Sequence, residues 1–189
     1  MNKPTYDAII VGSRCAGAAN AMLLARKGYS VLLLDRATFP SDTMSTHWIQ
    51  QSGVAQLAKW GILDEVRATG CPPIKRVTFD FEEFAISGCA PPADGISEAI
   101  APRRYLLNQI LLEAAVEAGA EMREGVTVEE LLRDNGTVVG VSGRHGGSKP
   151  LSERARIVIG ADGVHSRIAR LVEAPAYREV PSLTTFYYS

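Results

Sequence analysis

Between Tyr6 and Ala18 the chain reads Tyr-Asp-Ala-Ile-Ile-Val-Gly-Ser-Arg-Cys-Ala-Gly-Ala, an apolar run that stops at Gly12 and passes through Gly17 into Ala/Leu-rich sequence. This is how a buried strand turns sharply into a helix whose N-terminus faces a ligand. The first turn of such a helix has unpaired backbone N–H groups and the positive end of the helix dipole, and glycine lets a pyrophosphate approach the main chain. The three-glycine dinucleotide fingerprint has glycine at the middle position as well, where this chain has Arg14. Arg14 leaves two readings open: a guanidinium paired with phosphate, or a side chain turned to solvent. Cys15 likewise reads either as a thiolate favoured at a helix N-terminus or as a packed, inert thiol.

The turn is embedded in a β-α-β unit of about 30 residues, the form that imposes a parallel strand pair with a right-handed crossover. Ala18, Ala19, Met22, Leu23 and Ala25 make a helical face, Gly28 ends it, and Ser30-Val-Leu-Leu-Leu-Asp35 is a second buried strand. Asp35 falls 23 positions after Gly12, where a dinucleotide unit places the carboxylate that accepts hydrogen bonds from an adenosine ribose. On its own an aspartate there is also a plain turn or cap residue. Coupled to the glycine loop it points to a ribose, and its charge argues against a 2′-phosphate, hence against NADP at this position.

Composition narrows the class without naming a function. The 189 residues are 46% hydrophobic and 22% charged, enough to bury a core. A net charge of −1 makes no electrostatic case for nucleic acid or an anionic membrane. Cys15, Cys71 and Cys89 are too few and scattered for a disulfide framework or a metal knuckle, which suggests a reducing compartment. No stretch nears the roughly 20 apolar residues of a membrane span, and the N-terminus runs straight into a strand, so the expected location is the cytoplasm.

Further along, Arg36 to Ser52 reads as a loop, and residues 53–60 and 62–68 as short helices broken at Gly61. Lys75 to Ser87 alternates through Val77, Phe79 and Phe81 as a strand, with Glu82 and Glu83 on its solvated side. Residues 103–118 form an amphipathic helix ended by Gly119. Residues 126–132 and 137–142 flank Asp134-Asn-Gly136, a hairpin turn. Arg144 to Pro150 reads as loop. The last buried strand, Arg156-Ile-Val-Ile-Gly160, ends in Ala161-Asp162-Gly163, and strand ends of a parallel sheet are where ligands bind. No Ser/His/Asp triad, metal-ligand spacing or hydrolase-type carboxylate pair is present.

These two motifs, with Arg104-x-x-Leu107-x-x-x-Leu111-x-x-Ala114-Ala115-x-x-Ala118-Gly119-Ala120 between them, resemble the FAD-dependent aromatic-hydroxylase-like family, which includes p-hydroxybenzoate hydroxylase and, more distantly, geranylgeranyl reductases and flavin halogenases. The likeness covers residues 6–36 and 103–170 well and the intervening segment loosely. It implies an α/β fold, a Rossmann-like FAD-binding domain of parallel sheet, helices and β-meander, followed by the start of a β-rich substrate domain. The division it implies is 1–72 and 98–175 for FAD, with 73–97 and 176–189 as partial substrate-domain strands.

Carried over residue by residue, the resemblance places the FAD pyrophosphate on Gly12, Ser13, Arg14, Cys15, Ala16 and Gly17. It places the ribose on Asp35 with Arg36 beside it, and further cofactor contacts on Arg104, Val126 and Asp162. Arg103 rivals Arg104, but the leucines at +3 and +7 put Arg104 on the family's spacing. Thr46 and His47 sit in a loop that passes near the flavin in this family. His47 as an acid/base or flavin anchor competes with His47 as a satisfied loop residue. The implied function is a FAD-dependent oxidoreductase that uses NAD(P)H as transient co-substrate, first of all a monooxygenase of a small organic molecule. The alternatives are a prenyl-chain reductase and a truncated dinucleotide-binding module without turnover. The chain has no Trp-x-Trp-x-Ile-Pro pattern, which argues against the halogenase branch. Family members are about twice this length, so the resemblance also implies a fragment or half of a split protein. Residues 177–189 would then begin a substrate-domain strand with an exposed edge, open to self-association or a C-terminal partner chain.

Overall fold

The computed structural model describes residues 5–178 and 180–181. In chain order its elements are β1 (Tyr6–Val11), α1 (Cys15–Ala25), β2 (Val31–Leu34), α2 (Gln51–Lys59), α3 (Leu63–Ala68), β3 (Pro73–Ile74), β4 (Val77–Asp80), β5 (Ala85–Gly88), β6 (Ala99–Ile100), α4 (Arg104–Glu117), β7 (Glu121–Arg123), β8 (Val126–Asp134), β9 (Thr137–His145), β10 (Lys149–Gly160) and α5 (Arg167–Leu171). Six strands make one sheet in the order β7-β2-β1-β10-β9-β8. β7, β2, β1 and the second half of β10 run parallel. The first half of β10 instead pairs antiparallel with β9, which pairs with β8.

The unbroken apolar runs of β1 and β2 are explained by burial on both faces. Ile10 and Leu33 face a core shared with α1 and α4, while Ile9, Val11, Leu32 and Leu34 face Val126, Val128 and Val141 of the β8–β9–β10 meander. Ile9, Ile10, Leu32, Leu33 and Leu34 are all 0% exposed. Each such side chain stabilises the fold by about 1.5–3 kcal/mol relative to exposure. On the helical side, small residues let α1 approach closely. Gly17 has no room for even a methyl group, since a Cβ there would lie 1.6 Å from the carbonyl oxygen of Gly12.

Several sequence expectations change. Lys75 to Ser87 is a hairpin, β4 and β5, and not one strand. Asp80 Oδ1 accepts the Glu82 N–H and Phe81 stacks on Phe84 at 5.0 Å, so the chain turns where alternation would carry it straight on. Glu82, at φ 69°, and Glu83 therefore lie in the turn. Arg144 to Pro150 is mostly strand. β9 continues to His145 and β10 starts at Lys149, joined through Gly146 and Gly147, both at positive φ, which suits a tight hairpin. The Asn135–Gly136 hairpin forms as expected. β3, β6 and β7 are too short to show a period. Tyr177, Arg178, Val180 and Pro181 are in no strand. Residues 182–189, where the rest of the expected strand and its open edge fall, lie outside the described residues. Among the described residues no helix is long and apolar enough to cross a membrane.

A polar network links Tyr6, at the start of β1, to β7 and β10. Tyr6 Oη donates to Glu121 Oε2 at 2.6 Å, and Arg123 donates to Glu121, Tyr6 and Glu153. The Tyr6 hydrogen bond, helped by Arg123 and opposed by burial, holds the Glu121 carboxyl below its ordinary 4.5. Burial, then the bond to Glu121, pushes the Tyr6 hydroxyl up to about 12. A lowered carboxyl contributes stability above its ordinary value, and that stability is lost as pH falls through the lowered one. The raised phenol contributes below pH 10, and its contribution is lost as pH climbs toward 12.

Two outcomes are expected. Urea midpoints should fall more steeply below about pH 4.5 in the wild type than in Glu121→Gln, and equal slopes would show that the network is idle. Gly17→Ala should lower stability by about 1–3 kcal/mol through overpacking. Gly88→Ala, with open space around it, should stay within about 0.5 kcal/mol.

Candidate functional site

Because β1, β2 and the end of β10 are parallel, their C-terminal ends meet at one edge of the sheet. Gly12, Asp35 and Ala161–Asp162 follow those ends directly. The Gly12 N–H donates to the Leu34 carbonyl at 2.7 Å, and the Ala161 N–H to the Val11 carbonyl at 2.7 Å. Gly12 has φ +98°, and a Cβ on it would lie 2.4 Å from the Ala161 carbonyl oxygen. Both the backbone angle and the close neighbour exclude a side chain.

A cleft of about 810 Å³ opens on this edge, within the size range of cofactor sites. Gly12, Arg14, Cys15, Ala16, Asp35, Arg36, Arg104, Val126 and Asp162 all line it, so the structure brings together most of the expected site residues. Ser13 and Gly17 lie behind the surface, as structural parts of the turn. Thr46 and His47 are not in the lining. Their loop contributes Thr43 and Met44 instead. His47 Nδ1 accepts the N–H of Arg104 at 3.1 Å and so caps α4, which holds its backbone at φ 59°. Arg104 lines the cleft and Arg103 does not. The leucines that set Arg104's register also bury that face of α4.

Asp35 is 8% exposed, and its carboxylate is largely engaged within the protein. Oδ2 accepts the backbone N–H of Ser13 at 2.7 Å and the Ser13 hydroxyl at 3.0 Å, while Oδ1 accepts the Ala37 N–H at 2.8 Å. A carboxylate has about four acceptor positions, so roughly one is left for a ligand hydroxyl. Asp162 is similarly tied down. Oδ1 accepts from Ser166 Oγ, and Oδ2 accepts the N–H groups of Arg167 and Ile168 at the start of α5. Burial alone would raise the Asp162 carboxyl, but these donors outweigh it and hold it below the ordinary value.

The remaining charge of the cleft is positive. Arg14, Arg36, Arg104, Arg167 and Arg170 line it, and among the described residues none is in a salt bridge. Among the described residues no side chain caps α1, and its first turn has no acidic residue, so its free N–H groups and dipole face the same space. Uncapped helix start, glycine turn and arginines together fit a dinucleotide pyrophosphate. Arg170, His165, Thr127 and Val128 belong to the lining too but fall outside the fingerprint. The arginine spacing after Asp162-Gly163 is a sequence signal for Arg170, whereas Thr127 and Val128 on β8 have none. A separate apolar hollow of about 300 Å³ lies between the β4–β5 hairpin and Trp48, lined by Ile74, Val77, Phe79 and Ile86.

Known proteins resemble this chain over most of its length. Digeranylgeranylglycerophospholipid reductase 2 of Methanopyrus kandleri is 32% identical over 191 residues, covering 97% of this chain and 44% of the reductase. Protein FixC of Escherichia coli K12 is 30% identical over 172 residues, covering 89% of this chain and 39% of FixC. Among solved structures, the myxobacterial chondrochloren halogenase CndH superposes with a TM-score of 0.78 at 25% identity, over 87% of this chain and 39% of its own. A variant of P. aeruginosa PqsL reaches 0.80 at 22% identity over 94% and 48%, a likeness of fold alone. The chain spans less than half the length of each of these proteins. The FAD binding domain family matches residues 5–186, nearly the whole sequence, and the chain belongs to that family.

Proposed function

We propose that this chain is the FAD-holding half of a flavin-dependent oxidoreductase that takes its electrons from NAD(P)H. The observation that carries the reading is the cleft where an uncapped α1, the Gly12 turn and five arginines face one another. Bound FAD would supply two-electron redox chemistry, with the protein contributing orientation and electrostatics. The α1 N–H groups, Arg14 and Arg104 would hold the pyrophosphate, and the remaining acceptor position of Asp35 a ribose hydroxyl. Asp162, held ionised by its hydrogen bonds, would orient the start of α5 at the cofactor's edge. We read residues 1–72 and 98–175 as the cofactor unit. Residues 73–97, which carry the apolar hollow, would begin a substrate wall. Three free cysteines support a cytoplasmic setting.

Two reaction classes are open to such a unit. Hydroxylation of a small organic substrate with oxygen is the reaction to which the motif resemblance leads. Saturation of a prenyl alkene is favoured by the 32% identity to a digeranylgeranylglycerophospholipid reductase. Hydroxylation consumes oxygen and adds its atom to the product, whereas alkene saturation proceeds without oxygen and adds two hydrogens, so product mass with and without air separates them. A chain that binds FAD and turns over neither substrate class would be a binding module.

Purified chain reconstituted with FAD should show the flavin absorption bands, and a colourless protein after reconstitution would overturn the cofactor assignment. Asp35→Ala should weaken FAD binding by about 1.5–3 kcal/mol, the scale of a hydrogen bond to a charged group. Ser13→Ala removes one bond of the loop and leaves the carboxylate in place, so it should cost less than about 1 kcal/mol. Equal losses in the two variants would mean that Asp35 acts through the loop alone.

A further inference from the structure

Asn108 lies one turn after Arg104 on α4, on the same face. It is 0% exposed, and asparagine is a poor choice for a buried position inside a helix. Its Oδ1 accepts two hydrogen bonds, from Arg104 Nε at 3.1 Å and from Cys15 Sγ at 3.5 Å. The Arg104 donor fixes which way the amide faces, because the flipped amide would set its own N–H groups against that N–H, which cannot accept. The consequence is a buried Nδ2 that has no hydrogen-bond partner among the described residues. A leucine would pack this position without stranding a donor. What the asparagine provides and a leucine does not is the oxygen.

That oxygen ties together the first turn of α1 and the guanidinium at the start of α4. Arginine has a long, rotatable stem, and a free guanidinium loses much conformational freedom when it grips an anion. Arg104 is held at Nε by Asn108, and more loosely at NH1 by Ser45 Oγ at 3.5 Å. No hydrogen bond occupies its NH2 group among the described residues, and Arg104 lines the same cleft as Arg14, Cys15 and Ala16 at the start of α1. We infer that Asn108 is a positioning residue that pre-aims Arg104 at the dinucleotide phosphates, so that the cost of ordering that side chain is met before the ligand arrives. The inference rests on the proposed FAD site.

A double-mutant cycle on the full chain tests it, with FAD affinity read by fluorescence titration and folding by thermal melting. Arg104→Ala should weaken FAD binding at least tenfold, and Asn108→Leu about tenfold, without a fall in melting temperature. The decisive outcome is the double variant, which should bind FAD no more weakly than Arg104→Ala alone. A merely structural asparagine would give losses that multiply, and that result would overturn the inference, as would wild-type affinity in Asn108→Leu. Asn108→Ala, the smaller replacement, takes its place in the cycle if the leucine variant does not fold. If Arg104→Ala binds like the wild type, the phosphate role of Arg104 fails and the inference with it. A loss in Arg104→Ala but none in Asn108→Leu sinks the positioning role and leaves the FAD site standing.

Discussion

The bond between the Asp35 carboxylate and the backbone of Ser13 is the clasp on which the ligand edge depends. It joins the end of β2 to the turn between β1 and α1, with the Ser13 hydroxyl as a second strand of the tie. The turn can reach Asp35 only because Gly12 takes a left-handed conformation beneath the Ala161 carbonyl and Gly17 lets α1 rest on the Gly12 carbonyl. Three strand ends and one helix start are thereby locked within hydrogen-bond distance of each other. The result is a rigid concave edge, and the helix N-terminus opens into it uncapped.

Electrostatics follow from that arrangement. Both acids at the cleft are occupied by neighbouring donors, Asp35 by the glycine turn and Asp162 by the start of α5. Their negative charge is spent internally, and the arginines that surround them keep theirs for an anion. An otherwise nearly neutral chain, with net charge −1, can in this way present a locally positive site.

The buried strands β1 and β2 were legible from their apolar runs, and the Asn135–Gly136 hairpin because its turn chemistry is strict. Arg156 to Gly160 is strand as its apolar run predicts but is not buried, with Ile157 54% exposed. The β4–β5 hairpin has the pattern of one strand in sequence, since Phe79 and Phe81 alternate up to the point where the Asp80 carboxylate accepts the Glu82 N–H and the chain turns. Gly146–Gly147 is a turn signal of the same kind as Asn135–Gly136. It sits in polar sequence, so the strands on either side of it have no apolar pattern to announce them. The loop expected near the flavin brings Thr43 and Met44 to the cleft, while His47 Nδ1 accepts the first N–H of α4, a partner that loop position alone does not reveal.

Local sequence was sufficient for the β-α-β unit, the glycine turn, Asp35 and the register of Arg104, because each depends on backbone conformation or on a periodic buried face. The partners of the charged side chains were decided only when distant segments met. Asp35 found Ser13 across 22 positions, and Asn108 found Cys15 across 93. Such contacts leave no periodic trace in the chain. They arise because parallel strands deliver residues from remote segments to a single edge, where each donor takes the nearest acceptor that packing allows.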